Sequence, residues 1–488
     1  MKNFTRNPLQ RLDVYKMGHL DQINPRCTKM YSYYCNRSDR YFDEHVFFGL
    51  QYYLKEYLCI NLEPWMAEKF IDRAKRITGN VSENAKNQIR NLCKLGYYPL
   101  KIKSLPEGSI TKKGVPLFTI TNTIDGFQWL PGFVESLLLK CWYPSAVATT
   151  SYKYRKLVNK LFDVGVDESN HFLKPFMVHD FGYRADTSEE SAEISGVAHL
   201  LSFIGSDTVP AFDFACEYYG AKEDELIMQS VAASEHSVAC SYGREGELEY
   251  FERMLDLYPE GIVSIVSDQY DVYKFFSEYS LQLKSKIESR KGITVLRPDS
   301  GNSEDIICGK EWSSLGQGGY GDSPEPSELE KMGVVRILDR NFGHTINSKG
   351  LKVLKSTRVI YGDGQYYERY EKTQNRLIAM GYSPENLVIG VGGILRNHTR
   401  DTLGCALKAT YVEIDKSGME IYKDPITDNG KKSARGLLRV DEVDGVLTLK
   451  DRCTHEEEQG GLLTTVFQDG KLVRETTLSE IRARLNEQ

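Results

Sequence analysis

The chain has 488 residues, with 62 Lys+Arg against 68 Asp+Glu and a formal net charge of −6. That length supports two or three domains with ample core, and the acidic balance argues against a general nucleic-acid binder while leaving room for a local basic patch. The start, MKNFTRNPLQRLDVYKMGHL, has no signal-peptide core, no run approaches the roughly 18 apolar residues of a membrane span, and the ten cysteines are scattered without a CxxC pair, so a reduced, cytoplasmic protein without a membrane or nucleic-acid partner is expected.

In chain order, Met30-Tyr31-Ser32-Tyr33-Tyr34 alternates like a strand and Phe47 to Leu58 has helical spacing. Leu105-Pro106-Glu107-Gly108 reads as a turn, and Gly114 to Ile120 as a further strand. Trp129 to Trp142 is strongly apolar and predicts a helix; Glu135 inside it is read as a paired, partly buried carboxylate, not a catalytic one.

From residue 176 to residue 397 one theme returns. Apolar, β-prone runs stop abruptly at charged or glycine-rich tips: Phe176-Met177-Val178 before His179-Asp180-Phe181-Gly182-Tyr183-Arg184, Ile262 to Val266 before Ser267-Asp268, and Ile293 to Leu296 before Arg297-Pro298-Asp299-Ser300-Gly301-Asn302. Val359 to Tyr361 precedes Gly362-Asp363-Gly364, and Leu387 to Ile389 precedes Gly390-Val391-Gly392-Gly393, with a helix start at Ile394 to Thr402. Strands apolar on both faces belong to parallel sheets, whose active sites gather at the carboxyl ends. The expected fold is therefore α/β. It comprises an irregular β/α barrel-like domain (169–398) and a second mixed α/β domain built from both chain ends (1–168 and 399–488), the last part antiparallel and closed by a charged helix near Leu478 to Leu485. Ser313 to Ser327 reads as an exposed Gly/Ser/Pro loop.

The tips describe a ligand. Arg297 suits a planar or anionic group, Asp299 suits hydroxyls or a magnesium shell, and the alternative for both is an ion pair closing a turn. The glycines at 362–364 and 390–393 let backbone amides approach phosphate, although most such pairs are only turns. Phe181 is either a stacking face or a core residue. Arg184 is harder to explain away, since arginine is seldom fully buried without a partner. His236 is either structural or an imidazole that carries a proton or phosphoryl group, oriented by Glu235. Asp207 either caps the next helix or accepts a ligand N–H. Arg400, Lys408, Lys423, Lys431, Lys432 and Arg435 form a basic cluster in an acidic chain, suited to steering a polyphosphate.

In order along nearly the whole chain, these motifs resemble the nicotinamide phosphoribosyltransferases, type II phosphoribosyltransferases. The matches run from Asp13-Val14-Tyr15-Lys16 and Tyr31 through Arg37, by Phe48-Gly49-Leu50-Gln51-Tyr52, Trp142-Tyr143-Pro144, the tips above and Asn347-Ser348-Lys349-Gly350, to Thr399-Arg400-Asp401 and Lys423-Asp424-Pro425. The resemblance implies transfer of phosphoribose from phosphoribosyl pyrophosphate to nicotinamide in NAD salvage, and a homodimer with two interface sites. It also implies Mg²⁺, and ATP as an activator that phosphorylates His236. It implies a catalytic group of His236, Glu235, Asp268 and Asp299. Nicotinamide would lie between Phe181 and Tyr15 of the partner subunit, near Asp207, Arg297 and Ser264. The phosphoribosyl and diphosphate groups would meet Arg184, Arg358, Gly362, Asp363, Gly392, Gly393, Asp13, Arg37, Arg400, Lys408 and Lys423; no metal ligand is implied by residue. The chain departs from the pattern in a shorter glycine run at 390–393, in Ala406 where serine is common, and in a longer loop at 313–327. The rival readings are a nicotinate phosphoribosyltransferase, a carboxylate-pair glycosidase, and a non-enzymatic binding or signalling protein keeping this fold.

Overall fold

The computed structural model describes residues 7–311, 325–427 and 432–487. Most of the loop expected at 313–327, and Lys431 of the basic cluster, lie outside the described residues. The chain forms two compact units: Met1–Thr149, Asp213–Glu223 and His398–Gln488 make one, Thr150–Phe212 and Asp224–Asn397 the other.

The first unit is built on a seven-stranded antiparallel sheet. Cys27–Cys35 lies between Ala406–Ile414 and Pro116–Asn122, so the two ends of the chain share one sheet. Period-2 alternation divides its faces. On one face Tyr34 stacks on Phe118, centroids 4.8 Å apart, beside fully buried Ile102. The other face carries Tyr31, Thr121 and Lys101, aligned across three strands. Two helices, Pro64–Thr78 and Glu83–Leu95, belong to this unit. The second is started by Ser82, whose side chain accepts from Ala85 N at 3.0 Å, and stopped by Gly96 at φ 85°. Trp129 to Trp142 is not one helix. It breaks into Leu130–Phe133, Glu135–Leu138 and a 3₁₀ turn at Leu139–Cys141, and Pro131-Gly132 in the first turn are poor residues for extending a helix. Glu135 is the paired carboxylate expected, accepting from the buried Lys16 Nζ at 2.8 Å.

The second unit is a parallel barrel. Its six-stranded sheet runs Val178–Asp180, Leu387–Val391, Thr357–Tyr361, Thr294–Arg297, Val263–Val266, Ala232–Ala233. Single parallel bridges at Asp180↔Ser206 and Gly205↔Gln229 carry the pairing round, through the segment that leads into Ala232–Ala233. Every strand thus has a neighbour on both sides. Val263–Val266 is buried throughout, as a strand covered on both faces must be, and Val359, Leu387 and Ile389 share its core. The strands extend a little past the expected ends: His179 and Asp180 belong to the first, and Gly390-Val391 to the last. The helix expected at Ile394 to Thr402 is two short ones, Gly393–Arg396 and Arg400–Leu403.

Candidate active site

Because the barrel strands are parallel, their carboxyl ends lie on one face. Phe181, Asp207, Glu235-His236, Asp268, Arg297 to Asp299, Gly362-Asp363 and Gly392-Gly393 all follow such ends. The expected tip residues are therefore neighbours, and their contacts are specific.

Phe181 turns back over the barrel edge. Its N–H donates to Val391 O at 2.8 Å, and its ring lies directly against Gly390, where a Cβ would come within 2.0 Å of Cε2. A strand glycine that admits a close approach has a positional reason to be there. The His179 ring is 4.9 Å from the Phe181 ring. His179 Nε2 is also 3.1 Å from Asp207 Oδ1, and Ser230 Oγ donates to the same oxygen. Partial burial alone would raise the Asp207 pKa; the hydrogen bonds from His179 and Ser230 outweigh it, and the carboxyl is held below its ordinary value. Asp207 is thus an ionised acceptor, 45% exposed at the side chain and fixed by His179 and Ser230.

Beneath this turn lies a buried brace. Arg396 Nη2 donates to Asp180 Oδ2 at 2.8 Å and Arg396 Nε to Asp186 Oδ2 at 2.7 Å, with all three side chains at 2% exposure or less. Asp180 also accepts from Thr208 Oγ1 at 2.9 Å and from Gly182 N at 2.8 Å, so it ties the Phe181 turn to the Asp207 segment.

On the next strands, Asp299 Oδ1 accepts from Gly362 N at 3.1 Å. A side chain at Gly362 would meet that carboxylate at 2.9 Å. Asp363 is exposed beside it. Tyr361 has its pKa raised by burial first, then by Asp299, Asp363 and Asp268, which places three carboxylates around one phenol. His236 Nε2 lies 3.1 Å from Asp268 Oδ1, and Ser300 Oγ donates to the other oxygen, so Asp268 orients the imidazole. Glu235 instead accepts from Ser237 Oγ and is the residue before the short helix His236–Cys240. Arg297 Nη2 donates to Ser234 O at 3.0 Å while its buried Nε has no protein partner. Ser264 is buried within its strand, and its carbonyl accepts from Ser234 N at 3.0 Å. Arg184 is exposed beyond the Phe181 turn, and Gly393 lies near Ala185, its Cβ position 3.9 Å away. Arg358 stands apart: it lies at the amino end of its strand, where it donates to Leu354 O and, at 2.8 Å, to Thr357 O, away from the rim.

The first unit holds the other expected group. Asp13 accepts from Ser136 Oγ at 2.5 Å, and Tyr15, 62% exposed, follows in the 3₁₀ turn Val14–Gly18 with its ring edge-on to His19. Arg37 donates through Nε to Gly404 O at 3.1 Å, and Gly404, at φ 65°, makes the turn that permits this. Lys408 has its pKa lowered by burial first and then by Arg37 and Lys423. Three cations are therefore close enough to oppose one another, an arrangement that favours an anion. Arg400 pairs with Asp401 at 2.7 Å, and Lys432 and Arg435 share Asp424, so these are less free than their spacing suggests.

A closed parallel barrel with acids, an aromatic and close-approach glycines on its carboxyl face defines the fold of the nicotinate-type phosphoribosyltransferases. Two solved structures share it along almost the full chain: nicotinate-nucleotide pyrophosphorylase from Pyrococcus furiosus (TM-score 0.58, 16% identity, 100% of this chain and 98% of that one) and human nicotinic acid phosphoribosyltransferase (TM-score 0.54, 16% identity, 97% and 93%). Residues 176–471 match the nicotinate phosphoribosyltransferase family, and residues 7–87 the N-terminal domain of nicotinamide phosphoribosyltransferase. The nicotinamide phosphoribosyltransferase of Acinetobacter baylyi is 39% identical, over 100% of this chain and 98% of its own, and that of Xanthomonas campestris pv. campestris 35% identical, over 98% and 97%. The chain belongs to the nicotinamide phosphoribosyltransferase family.

Sequence reasoning found the tips but gave no part to His179, Ser230, Asp186 or Arg396. Ser230 and Arg396 lie 23 and 216 residues from the partners they serve, and no periodicity links them.

Proposed function

We propose that this protein transfers the phosphoribosyl group of phosphoribosyl pyrophosphate to nicotinamide, giving nicotinamide mononucleotide and diphosphate in NAD salvage. The observation that carries the reading is the ionised Asp207, bonded to a His179 whose ring lies 4.9 Å from that of Phe181, in a chain whose full-length relatives bear this name. A carboxylate that faces the ring substituent accepts from an amide N–H and repels a carboxylate, so it favours nicotinamide over nicotinate.

In the reaction the C1′–O bond to diphosphate breaks, the leaving group takes the electron pair, and the pyridine nitrogen forms the C1′–N bond. That nitrogen carries no proton, so no general base is needed. The protein aligns the reactants and stabilises developing charge. Phe181 supplies one face of the ring slot, and Asp299 with Asp363 takes the ribose hydroxyls and the positive character at C1′. Arg297 borders the ring, and Arg184 with the Gly392-Gly393 amides receives the 5′-phosphate. In a homodimer with sites at the interface, Tyr15 of the partner subunit closes the slot, and Arg37, Arg400, Lys408 and Lys423 of the partner subunit take the diphosphate.

Among the described residues no group of three or more His, Cys, Asp or Glu is arranged to hold a metal. That is compatible with Mg²⁺, which often binds through one or two carboxylates plus substrate phosphate oxygens; Asp299 and Asp363 fit that need. Held there, Mg²⁺ would neutralise charge on the leaving diphosphate. His236, oriented by Asp268, is the acceptor for a phosphoryl group from ATP, an activating side reaction outside the transfer stoichiometry. The setting is cytoplasmic, without nucleic-acid or membrane partners; among the described residues no helix is long and apolar enough to cross a membrane. Turnover assays with nicotinamide and with nicotinic acid, each with phosphoribosyl pyrophosphate and Mg²⁺, test the reading: nicotinamide alone should be used efficiently, and a preference for nicotinic acid would replace it with the rival within the same fold.

A further inference from the structure

The face of the first unit's sheet that carries Tyr31 and Lys101 has a cleft of about 260 Å³ that none of the transfer-site residues lines. We propose that it is a binding site for a small oxyanion, a phosphate or carboxylate group on a small metabolite.

Strand register aligns the cleft's side chains. Tyr31, Thr121 and Lys101 stand directly opposite one another on three adjacent strands, and Tyr33, Thr119 and Lys103 form the next such row. Side chains in such a row project to the same face with Cβ atoms about 5 Å apart. Most of the cleft's polar groups are occupied. Lys103, nearly buried, donates to Glu458 Oε1 at 2.9 Å and to the Glu458 carbonyl. The other Glu458 oxygen accepts from Gln459 Nε2 at 2.7 Å. Lys29 pairs with Glu413 at 3.1 Å, and His455 Nε2 lies 3.1 Å from Tyr411 Oη.

Two groups remain. Lys101 makes no ion pair among the described residues, and Thr121 Oγ1 is buried without a hydrogen-bond partner. A buried hydroxyl left unsatisfied is uncommon, and here it belongs to the register partner of an ammonium without an ion pair. The one carboxylate that lines the cleft, Glu458, is already neutralised by Lys103. What is left is a hydroxyl and a cation that are register partners lining one cleft, a donor set suited to an oxyanion. The volume lies below the roughly 300–1,000 Å³ of drug-sized pockets, which suits a small anion and not a dinucleotide.

The test is calorimetric titration of the full-length protein with inorganic phosphate and, separately, with malonate, using wild type, Lys101→Ala, Thr121→Val and, to mark binding at the transfer site, Arg400→Ala. Melting temperatures verify folding; Lys101 is partly exposed and Thr121→Val is nearly isosteric, so both variants should fold. Phosphate, malonate or both should bind wild type and Arg400→Ala alike, about tenfold or more weaker to Lys101→Ala, and weaker to Thr121→Val, with transferase turnover unchanged in the two cleft variants. The arm that binds names the oxyanion. An absence of binding by either anion at millimolar concentration, or binding that Arg400→Ala removes and Lys101→Ala keeps, overturns the proposal.

Discussion

Phe181 rests on Gly390: a Cβ built on that glycine would lie 2.0 Å from Cε2 and 2.2 Å from Cδ2 of the ring. The aromatic face of the proposed ring slot is thus set by the absence of a side chain on the neighbouring strand. Gly390→Ala should push the ring from its place, raising KM for nicotinamide roughly threefold to tenfold, the range of a lost aromatic contact, and affecting the phosphoribosyl pyrophosphate KM less. Steady-state kinetics with each substrate varied in turn checks this; equal effects on both would show that the alanine disturbs the barrel as a whole.

The brace below that turn should matter for stability more than for chemistry. Arg396→Met leaves Asp180 and Asp186 buried without their cation, and breaking a buried pair in this way costs about 3–5 kcal/mol. Urea unfolding of the variant against wild type gives the number directly; a loss under about 1 kcal/mol would mean that other groups compensate the two acids.

Acid should weaken the same region. His199 is fully buried, with Nδ1 3.0 Å from Ser151 Oγ. Burial pushes its pKa down from 6.5 to about 4, only partly opposed by Asp180. Since the folded value lies below the unfolded one, the unfolded chain takes up the proton first as pH falls. Stability that is full above about pH 6.5 is then lost on the way to about pH 4, by an amount on the order of 3 kcal/mol. Asp180, also depressed, adds its own loss at lower pH, burial being outweighed by Arg396, His199 and hydrogen bonds. Unfolding measured from pH 7 to 4 should show this slope, and His199→Gln should flatten it; identical slopes would assign the acid sensitivity elsewhere.

Two further expectations concern His236 and the proposed homodimer. His236→Ala should stay folded, lose stimulation by ATP and keep a slower, ATP-independent transferase; Asp268→Asn, which leaves the imidazole poorly oriented, should weaken the stimulation without removing it. Melting temperature measured beside kinetics separates this from general destabilisation, and a folded His236→Ala that still responds fully to ATP would remove His236 as the acceptor. For the dimer, inactive Asp299→Ala mixed with inactive Arg400→Ala should regain activity, because one of the hybrid's two sites is intact. No recovery, with hybrid formation verified, would count against a site shared in trans.

The barrel was legible because buried parallel strands leave an unbroken apolar run that a polar tip interrupts, as at Ile262 to Asp268. Its closure was not, because the Gly205 and Gln229 bridges are single pairings without a strand-length pattern. Among the candidate site residues, Asp207 and Phe181 each kept a bland alternative on residue type alone, a helix cap and a core ring, and only the family resemblance gave them parts in a site. Arg358 misled for a related reason: an arginine in a strand-tip motif is placed by its position along the strand, and this one falls at the amino end. Trp129 to Trp142 misled because apolar content there serves core packing in several short turns, with Trp129 edge-on to Phe133 at 5.1 Å.

The central claim is that an ionised Asp207 selects the amide. The most direct test is kcat/KM for nicotinamide and for nicotinic acid in wild type and Asp207→Asn. Removing one repulsive charge and weakening one acceptor should lower nicotinamide efficiency by roughly tenfold or more and raise the relative use of nicotinic acid, narrowing the ratio between them. A folded Asp207→Asn enzyme with the wild-type ratio would contradict the account.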